Sequence, residues 1–440
     1  MLNFWQIIKR IGDKLSKQSQ KTSFWVVIHI ILFLGVFMLW NHVFWDYFGP
    51  TPGAVEKNIV LQIMDGQIPY VDFECEYPPV ALLIFIIPGL LFRALPGYYI
   101  AFTVEMLLFD LLTVLLIAFI AKRIKISKVK ALASYTLLIA FAAGPIVTHR
   151  YDLAPAVIAL AAVAAFLAGK NKTAWGVLAL GVMAKIFPIV LAPLFALWLL
   201  IKKQYARLLK GIAAFAGVVL LTIIPWLITD AGSLSTFFTY HMDRGLHAES
   251  TYGSFVILGQ HFGWTSVEWD FSFGSFNITS GLADNLADAS FYIMALVLII
   301  VYGLFTCQLR KQEITKLEKD DTQVAQETLF VRYVVISVLA FLLFNKVFSA
   351  QYMAWFCPFI PLLNIRFKYL IVAMLMIAGV FTIYVYPFNY IEFEYWESLP
   401  VLLMASRNLL LIIVFVLVVM GIKPREKIIK ESKANTAIAT

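Results

Sequence analysis

Apolar runs of about 17–25 residues, the length range of membrane-spanning helices, recur along the whole chain. This feature limits the possible folds more than any other. A membrane β-barrel would instead show alternating segments of about 10 residues. Charged residues make up only 14% of the sequence, well below the roughly 25% of soluble domains. The sequence therefore predicts an all-α polytopic membrane protein.

Basic residues indicate which side of the membrane each loop occupies, because cytoplasmic loops are rich in Lys and Arg. On this basis we expect about twelve spans, with both termini in the cytoplasm of a cell that carries the protein in its plasma membrane. Residues 1–22 form a basic amphipathic lead, 23–422 a single transmembrane domain, and 423–440 a cytoplasmic tail.

The topology makes specific predictions for two apolar segments and for two outer loops. Residues 79–96 contain several prolines and are expected to re-enter or lie at the interface, whereas 350–365 are expected to span. The first outer loop covers about 46–97. A large outer loop covers about 230–289, and its aromatic content indicates a position on the membrane surface.

Six polar clusters fall on the non-cytoplasmic side in this topology. Polar groups at membrane depth are costly and usually functional, so their convergence on one face predicts a site. The clusters are "WDYFGP", "YVDFECEYPP", "HRYD", "AKIFP", "YHMDRGLHAES" and "NKVFSAQY".

The residue types in these clusters suit transfer of a group from a phosphate to a hydroxyl. A carboxylate can accept the proton of the hydroxyl, and Lys or Arg can bind the phosphate. The sequence contains neither a dinucleotide-binding motif nor a Walker loop, so we expect no cofactor. A divalent metal held by loose carboxylates stays open.

Simpler roles also fit several of these residues. Lys185 and Lys346 could be anchors at helix ends, with their charges extended towards the interface. Arg150 and Asp152 could form a local ion pair, as could Arg244 and Glu249. Asp46 could cap the first span.

Taken in order, the clusters resemble integral-membrane glycosyltransferases of the class C fold. They are most similar to family 87, the polyprenyl-phosphate-mannose-dependent α-mannosyltransferases and their bacterial relatives. The resemblance rests on five segments in order. They are "GQIPYVDFECEYPP", "RYDLAPAVIALAAVAAF", "GVLALGVMAKIFPIVLAPL", "DRGLHAES" and "KVFSAQYMAW".

The resemblance implies which residues form the site. Class C catalytic carboxylates lie in the first outer loop, where this chain has Asp46. The segment after Asp46 is longer than in the family, so Asp72 and Glu76 are alternative bases. Lys185 and Arg244 are expected to contact the donor phosphate. The other residues expected in substrate or phosphate binding are Arg150, Asp152, Glu249, Lys346, Gln351 and His241.

The function implied is transfer of a hexose, mannose or another, from a polyprenyl-phosphate donor to a hydroxyl acceptor on the non-cytoplasmic face. Class C enzymes invert the anomeric centre, so one displacement with a carboxylate base is expected. The partners would be this donor, a lipid or glycan acceptor and membrane lipids, without nucleic acid. The alternatives are a transporter or flippase of a lipid-linked saccharide, and a polymerase or ligase of envelope glycans.

Overall fold

The computed structural model describes residues 13, 16–48, 54–229, 232, 242–314 and 319–422 of the 440-residue chain. Within these ranges, eight helices are long and apolar enough to cross a membrane. They cover Thr22–Leu39, Gly97–Arg123, Lys128–Thr148, Tyr205–Thr229, Gly281–Ile314, Asp320–Leu343, Lys368–Phe388 and Ser398–Met420. The predicted all-α polytopic membrane protein is confirmed.

The apolar segments are helical because lipid offers the backbone no hydrogen-bond partner, and a helix pairs its own N–H and C=O groups. The α-helices are numbered here in chain order. They are α1 (Thr22–Phe48), α2 (Ala54–Met64), α3 (Pro79–Leu91), α4 (Leu95–Arg123), α5 (Lys128–Leu138), α6 (Leu153–Leu167), α7 (Asn171–Ala184), α8 (Ala192–Ile201), α9 (Tyr205–Thr229), α10 (Thr251–His261), α11 (Gly281–Ile314), α12 (Lys319–Leu343), α13 (Lys368–Ile383), α14 (Tyr390–Glu394) and α15 (Ser398–Met420).

Three further apolar helical segments, Pro79–Leu91, Leu153–Leu167 and Phe187–Ile201, are shorter than the roughly 20 residues that a span needs. Together with the eight long helices they come close to the expected twelve spans. Helix α3 begins at Pro79, since proline fits the first turn of a helix. Its 13 residues fit the expectation that 79–96 re-enters or lies at the interface.

Residues 350–365, expected to span, form short 3-10 turns at Ala350–Ala354 and Ile360–Leu362 in place of a continuous helix. Pro358 and Pro361 each remove a backbone donor and prevent a regular helix. The segment is buried inside the protein, so its irregular backbone does not face lipid. Hydropathy alone does not distinguish a lipid-facing helix from a buried apolar turn.

The described part of the large outer loop contains a small antiparallel sheet, an addition to the all-α expectation. Its strands are β1 (Leu246–His247), β2 (Glu268–Ser272) and β3 (Ser275–Thr279), in the order β1-β3-β2. Ile278 is paired with Leu246 on one side and with Trp269 on the other. The sheet and α10 pack against Val385, Phe393 and Met404 of the C-terminal helical region and form a second hydrophobic core with them.

A buried polar network joins three membrane spans. Asp110 of α4 accepts a hydrogen bond from the Tyr135 hydroxyl at 2.7 Å, and its other oxygen lies 2.7 Å from His29 Nδ1. His29 Nε2 lies 3.0 Å from the Thr136 hydroxyl. His29 and Asp110 are both fully buried. The network therefore fixes how α1 and α5 are placed against α4.

We predict that Asp110→Ala destabilises the protein by about 3–5 kcal/mol, because it leaves two buried groups without their shared partner. The measurement is unfolding of the purified protein in detergent. The control is Asp321→Ala, whose side chain is 69% exposed and should have little effect. Equal losses in the two variants would contradict the prediction.

Candidate active site

Lys185 and Asp152 form the centre of a polar cluster at one end of the helix bundle. Asp152 directly precedes α6 and Lys185 directly follows α7, and these two helices pack against each other. Lys185 Nζ lies 2.5 Å from Asp152 Oδ1, and the Trp355 indole donates to the same oxygen at 2.7 Å. The Asp152 side chain is almost fully buried, so these two donors replace the water that it loses on folding.

Aromatic rings surround the Lys185 ammonium group. Its nitrogen lies 4.8 Å from the ring centre of Tyr151, 4.9 Å from that of Tyr352 and 5.3 Å from that of Trp355. Tyr352 and Trp355 stack with their centres 3.8 Å apart. A desolvated cation over an aromatic face gains about 2 kcal/mol. Lys185 is thus held within the cluster by its neighbours.

A second ion pair lies beside the first. Arg150 Nη1 is 3.3 Å from Glu56 Oε1, and the Glu56 side chain is fully buried. The other carboxylate oxygen of Glu56, Oε2, has no hydrogen-bond partner. Helix α2 therefore contributes a buried carboxylate, with one oxygen uncommitted, to the same end of the bundle.

The Glu76 carboxylate lies close to the tyrosines of the cluster. Burial raises the pKa of Tyr151, and the negative charges of Asp152 and Glu76 raise it further. Burial likewise raises the pKa of Tyr77, with Glu76 adding to the effect. The rings of Tyr77 and Tyr151 pack edge to face at 5.6 Å between centres. Both hydroxyls therefore stay protonated and able to donate.

Asp72 lies in an exposed turn before this region. Its Oδ2 accepts a hydrogen bond from the backbone N–H of Ile68 at 2.6 Å. Tyr70 in the same turn has a positive φ of 66°, and its hydroxyl donates to the backbone oxygen of Tyr77. Asp72 thus has a local partner within the turn that leads to Glu76.

Two further cations come from distant parts of the chain. The Lys346 ammonium donates to the backbone oxygen of Met242 at 2.8 Å. Arg244 is only 7% exposed, and its Nε has no hydrogen-bond partner. Burial raises the pKa of Tyr352, and the charges of Lys185 and Arg244 oppose that rise. Arg244 therefore lies on the Tyr352 side of the cluster as a buried cation whose Nε–H lacks an acceptor.

A buried ion pair fixes the segment that carries Arg244. Arg407, in span α15, lies 3.4 Å from Glu249 Oε2 and also donates to the backbone oxygen of Glu249. The Tyr390 hydroxyl donates to the other carboxylate oxygen of Glu249 at 3.1 Å. The guanidinium of Arg407 lies 4.0 Å from the ring centre of Phe348.

The neighbouring Asn408 completes this anchor. Its amide nitrogen donates to the backbone oxygens of Glu249 and Ser250, each at 3.1 Å. Strand β1 then connects the anchored loop to the other cation-bearing segment, because the His247 N–H donates to the Lys346 backbone oxygen at 3.0 Å. Arg407 and Asn408 therefore hold the segments of Arg244 and Lys346 together.

Comparison with known proteins identifies the family of the chain. The sequence model of glycosyltransferase family 87 matches residues 76–317, more than half of the 440 residues. The chain belongs to glycosyltransferase family 87. The resemblance noted from the motifs is confirmed, and the protein is a multi-pass membrane glycosyltransferase.

Among solved structures, the family 87 chain is similar to ArnT from Cupriavidus metallidurans in the apo state. The TM-score is 0.35 at 13% sequence identity, over 88% of this chain and 76% of that one. A likeness of this size carries no argument about chemistry. No curated protein matches the chain significantly.

The remaining site candidates of this family 87 protein are less well defined. His241 and the side chain of Asp46 lie outside the described residues, although the backbone at Asp46 belongs to α1. Gln351 is half-buried in the 3-10 turn next to Tyr352. Among the described residues, no group of three His, Cys, Asp or Glu side chains is placed to hold a metal ion.

Sequence reasoning missed Glu56, Arg407 and Asn408. Glu56 carries a signal that could have identified it, because Ile59, Val60 and Ile63 follow it at helical spacing on the packed face of α2. A charge on such a face indicates a buried partner. Arg407 and Asn408 are a polar pair in an apolar run, and polar residues within spans usually have a role.

We predict that Arg407→Met lowers the thermal stability of the protein markedly, because it leaves Glu249 buried without its cation. The double variant Arg407→Met/Glu249→Gln should recover much of the loss, since the buried charge is then gone. The measurement is the unfolding midpoint in detergent for both variants and for Glu249→Gln alone. Additive losses would contradict a direct coupling between the two side chains.

Proposed function

We propose that this family 87 protein transfers a hexose, such as mannose, from a polyprenyl-phosphate donor to a hydroxyl acceptor. The acceptor is a lipid or a glycan. The active site is the cluster around Lys185 and Asp152, on the non-cytoplasmic side. The basic connections lie at the opposite ends of α4, α6 and α12, which supports this orientation.

The observation that carries the proposal is Arg244. The Arg244 guanidinium is almost fully buried and its Nε–H lacks an acceptor, so a bound anion would offset part of the cost of burying this charge. The charge of Lys185, like that of Arg244, opposes the rise that burial causes in the pKa of Tyr352. Lys185 is already paired with Asp152. A donor phosphate at Arg244 would therefore meet one cation that still needs an acceptor and one that is partly neutralised. Family membership favours this transferase over a transporter.

The reaction is a single displacement in this proposal. The acceptor oxygen attacks the anomeric carbon of the sugar, its proton passes to a carboxylate, and a new carbon–oxygen bond forms. The bond from the anomeric carbon to the phosphate oxygen breaks, and its electron pair leaves with the polyprenyl phosphate. Arg244 and Lys185 stabilise the charge on the leaving phosphate, so the scheme includes no cofactor.

The surroundings of the carboxylates favour Glu76 as the base among the described candidates. The Asp152 side chain is almost fully buried, and Asp72 lies in an exposed turn. Glu76 is half-buried and lies near Tyr151, where an acceptor hydroxyl can reach it. Asp46 is the alternative by family resemblance, and Glu56 would keep Arg150 in place.

We expect Arg244→Gln to weaken donor binding about 10- to 100-fold, because a charge-assisted hydrogen bond contributes about 1.5–3 kcal/mol. Its folding stability should stay unchanged or rise, since the removed charge had no acceptor at Nε. The measurements are binding of polyprenyl-phosphate mannose and the unfolding midpoint in detergent.

The matched control for Arg244→Gln is Arg310→Gln, an exposed cation far from the cluster. It removes the same charge and should leave donor binding unchanged. Unchanged donor affinity in Arg244→Gln, or an equal loss in both variants, would refute the phosphate role. Absence of transfer with every polyprenyl-phosphate sugar tried would refute the proposed reaction.

For the base, we expect Glu76→Gln to lower kcat by roughly 10²- to 10⁴-fold with little change in donor KM. Asp72→Asn should keep most of the activity. The assay follows radiolabelled mannose from the lipid donor into membrane acceptors, with Asp46→Asn and Glu56→Gln alongside. Normal kcat in Glu76→Gln with loss in Asp46→Asn would transfer the base role to Asp46.

A further inference from the structure

Two adjoining cavities lie at the end of the bundle opposite the active site. The larger has a volume of about 620 Å³ and the smaller about 400 Å³, and both are open to the surface. They share Gly169, Asn171 and Arg207, so they form one continuous space. Helix α4 has 29 residues and therefore a length of about 44 Å, and it runs from the active-site end to Arg123 beside the larger cavity.

Most of the charged residues that line the larger cavity form ion pairs with one another. Arg123 Nη2 lies 2.6 Å from Glu327 Oε1, and Lys202 Nζ lies 2.6 Å from Glu313 Oε1. Gln326 joins the second pair by accepting from Lys202 at 2.8 Å. Arg207 is the fifth charged residue of this lining, so four of its five charges are paired and the space suits mainly neutral hydrogen-bonding groups.

Charges in the smaller cavity, called here the basic groove, are not balanced. It is lined by Gly169, Lys170, Asn171, Lys172, Thr173, Arg207 and Lys210. Four of these described residues are cations and none is an acid. The basic groove also lies at the start of α7, where the first N–H groups of the helix point outward. It therefore suits a phosphate.

Asn171 stands between the two spaces with one atom unsatisfied. Its amide nitrogen donates to the backbone oxygen of Arg207 at 2.5 Å, which fixes the direction of the amide. Its Oδ1 is buried and accepts no hydrogen bond. A buried acceptor of this kind needs a donor, and a hydroxyl group next to a phosphate in the groove would supply it.

The surface beside the basic groove is apolar and faces outward. Leu209 is 67% exposed and Ile212 is 46% exposed, on either side of Lys210 in span α9. Exposed apolar side chains on a span lie against lipid chains. An occupant of the groove that belongs to the bilayer can therefore place its phosphate on the cations and its acyl chains along α9.

We propose that the basic groove binds an anionic phospholipid whose headgroup carries hydroxyls, with the chemistry of phosphatidylglycerol. The phosphate lies among Lys172, Arg207 and Lys210, and a headgroup hydroxyl donates to Asn171 Oδ1. The larger cavity beyond Asn171 accommodates the rest of the headgroup. This site is separate from the proposed sugar-transfer site and does not depend on it.

The test is native mass spectrometry of the purified full chain titrated with phosphatidylglycerol. Lys172→Gln/Lys210→Gln should weaken binding roughly thirtyfold, because each removed cation contributes about a factor of five near a lipid phosphate. The control Lys122→Gln/Lys125→Gln removes two exposed cations at the same end, outside both cavities. It should change binding less than twofold.

Two further comparisons test whether the headgroup hydroxyl contributes to binding and whether the bound phosphate belongs to a lipid. Wild-type protein should bind phosphatidylglycerol more tightly than phosphatidylmethanol, which has the same charge and no free hydroxyl, and Asn171→Ala should lose this preference. Equal weakening in the control pair, equal binding of phosphatidylcholine, or no preference for the hydroxyl headgroup would overturn the proposal. Saturation by glycerol phosphate at the same concentration would overturn the lipid source.

Discussion

The end of the bundle that carries Lys185 is held together by contacts to a single oxygen atom, Asp152 Oδ1. It receives both the Lys185 ammonium and the Trp355 indole. A buried carboxylate without donors would not be tolerated, so these contacts hold the ends of α6 and α7 against the irregular 350–365 segment. That segment in turn carries Tyr352, whose ring centre lies 4.9 Å from the Lys185 nitrogen. The charge of Arg244 also acts to lower the pKa of Tyr352, against the effect of burial. The cage around Lys185 follows from this one pairing.

The sequence was sufficient to predict the membrane fold and much of the cluster. Arg150, Asp152 and Lys185 lie at the helix ends where the basic loops placed them, and hydropathy located the long spans. Glu56 and Arg407 could not be placed in the same way. Their partners, Arg150 and Glu249, are 94 and 158 residues away, and no local pattern encodes a contact at that distance. The prediction that 350–365 spans the membrane was wrong because burial in protein and burial in lipid select the same apolar residues.

Charge is treated differently at the two ends of the bundle. In the larger cavity each glutamate is paired with a cation, and Arg123 with Glu327 is an example. At the other end, Arg244 is almost fully buried, and its charge, together with that of Lys185, opposes the rise that burial causes in the pKa of Tyr352. Under the proposed function, a donor phosphate bound at Arg244 would offset the cost of burying its charge.

Arg407 explains how Arg244 can be kept in such a state. A buried cation on a loop would turn towards water unless the loop were fixed. Arg407 and Asn408 supply that constraint from within α15, through the carboxylate and the backbone oxygen of Glu249. The bond from His247 N–H to the Lys346 backbone oxygen extends the constraint to the second cation-bearing segment. Arg407 and Asn408, a polar pair in an otherwise apolar span, thus fix the loop segment that carries Arg244.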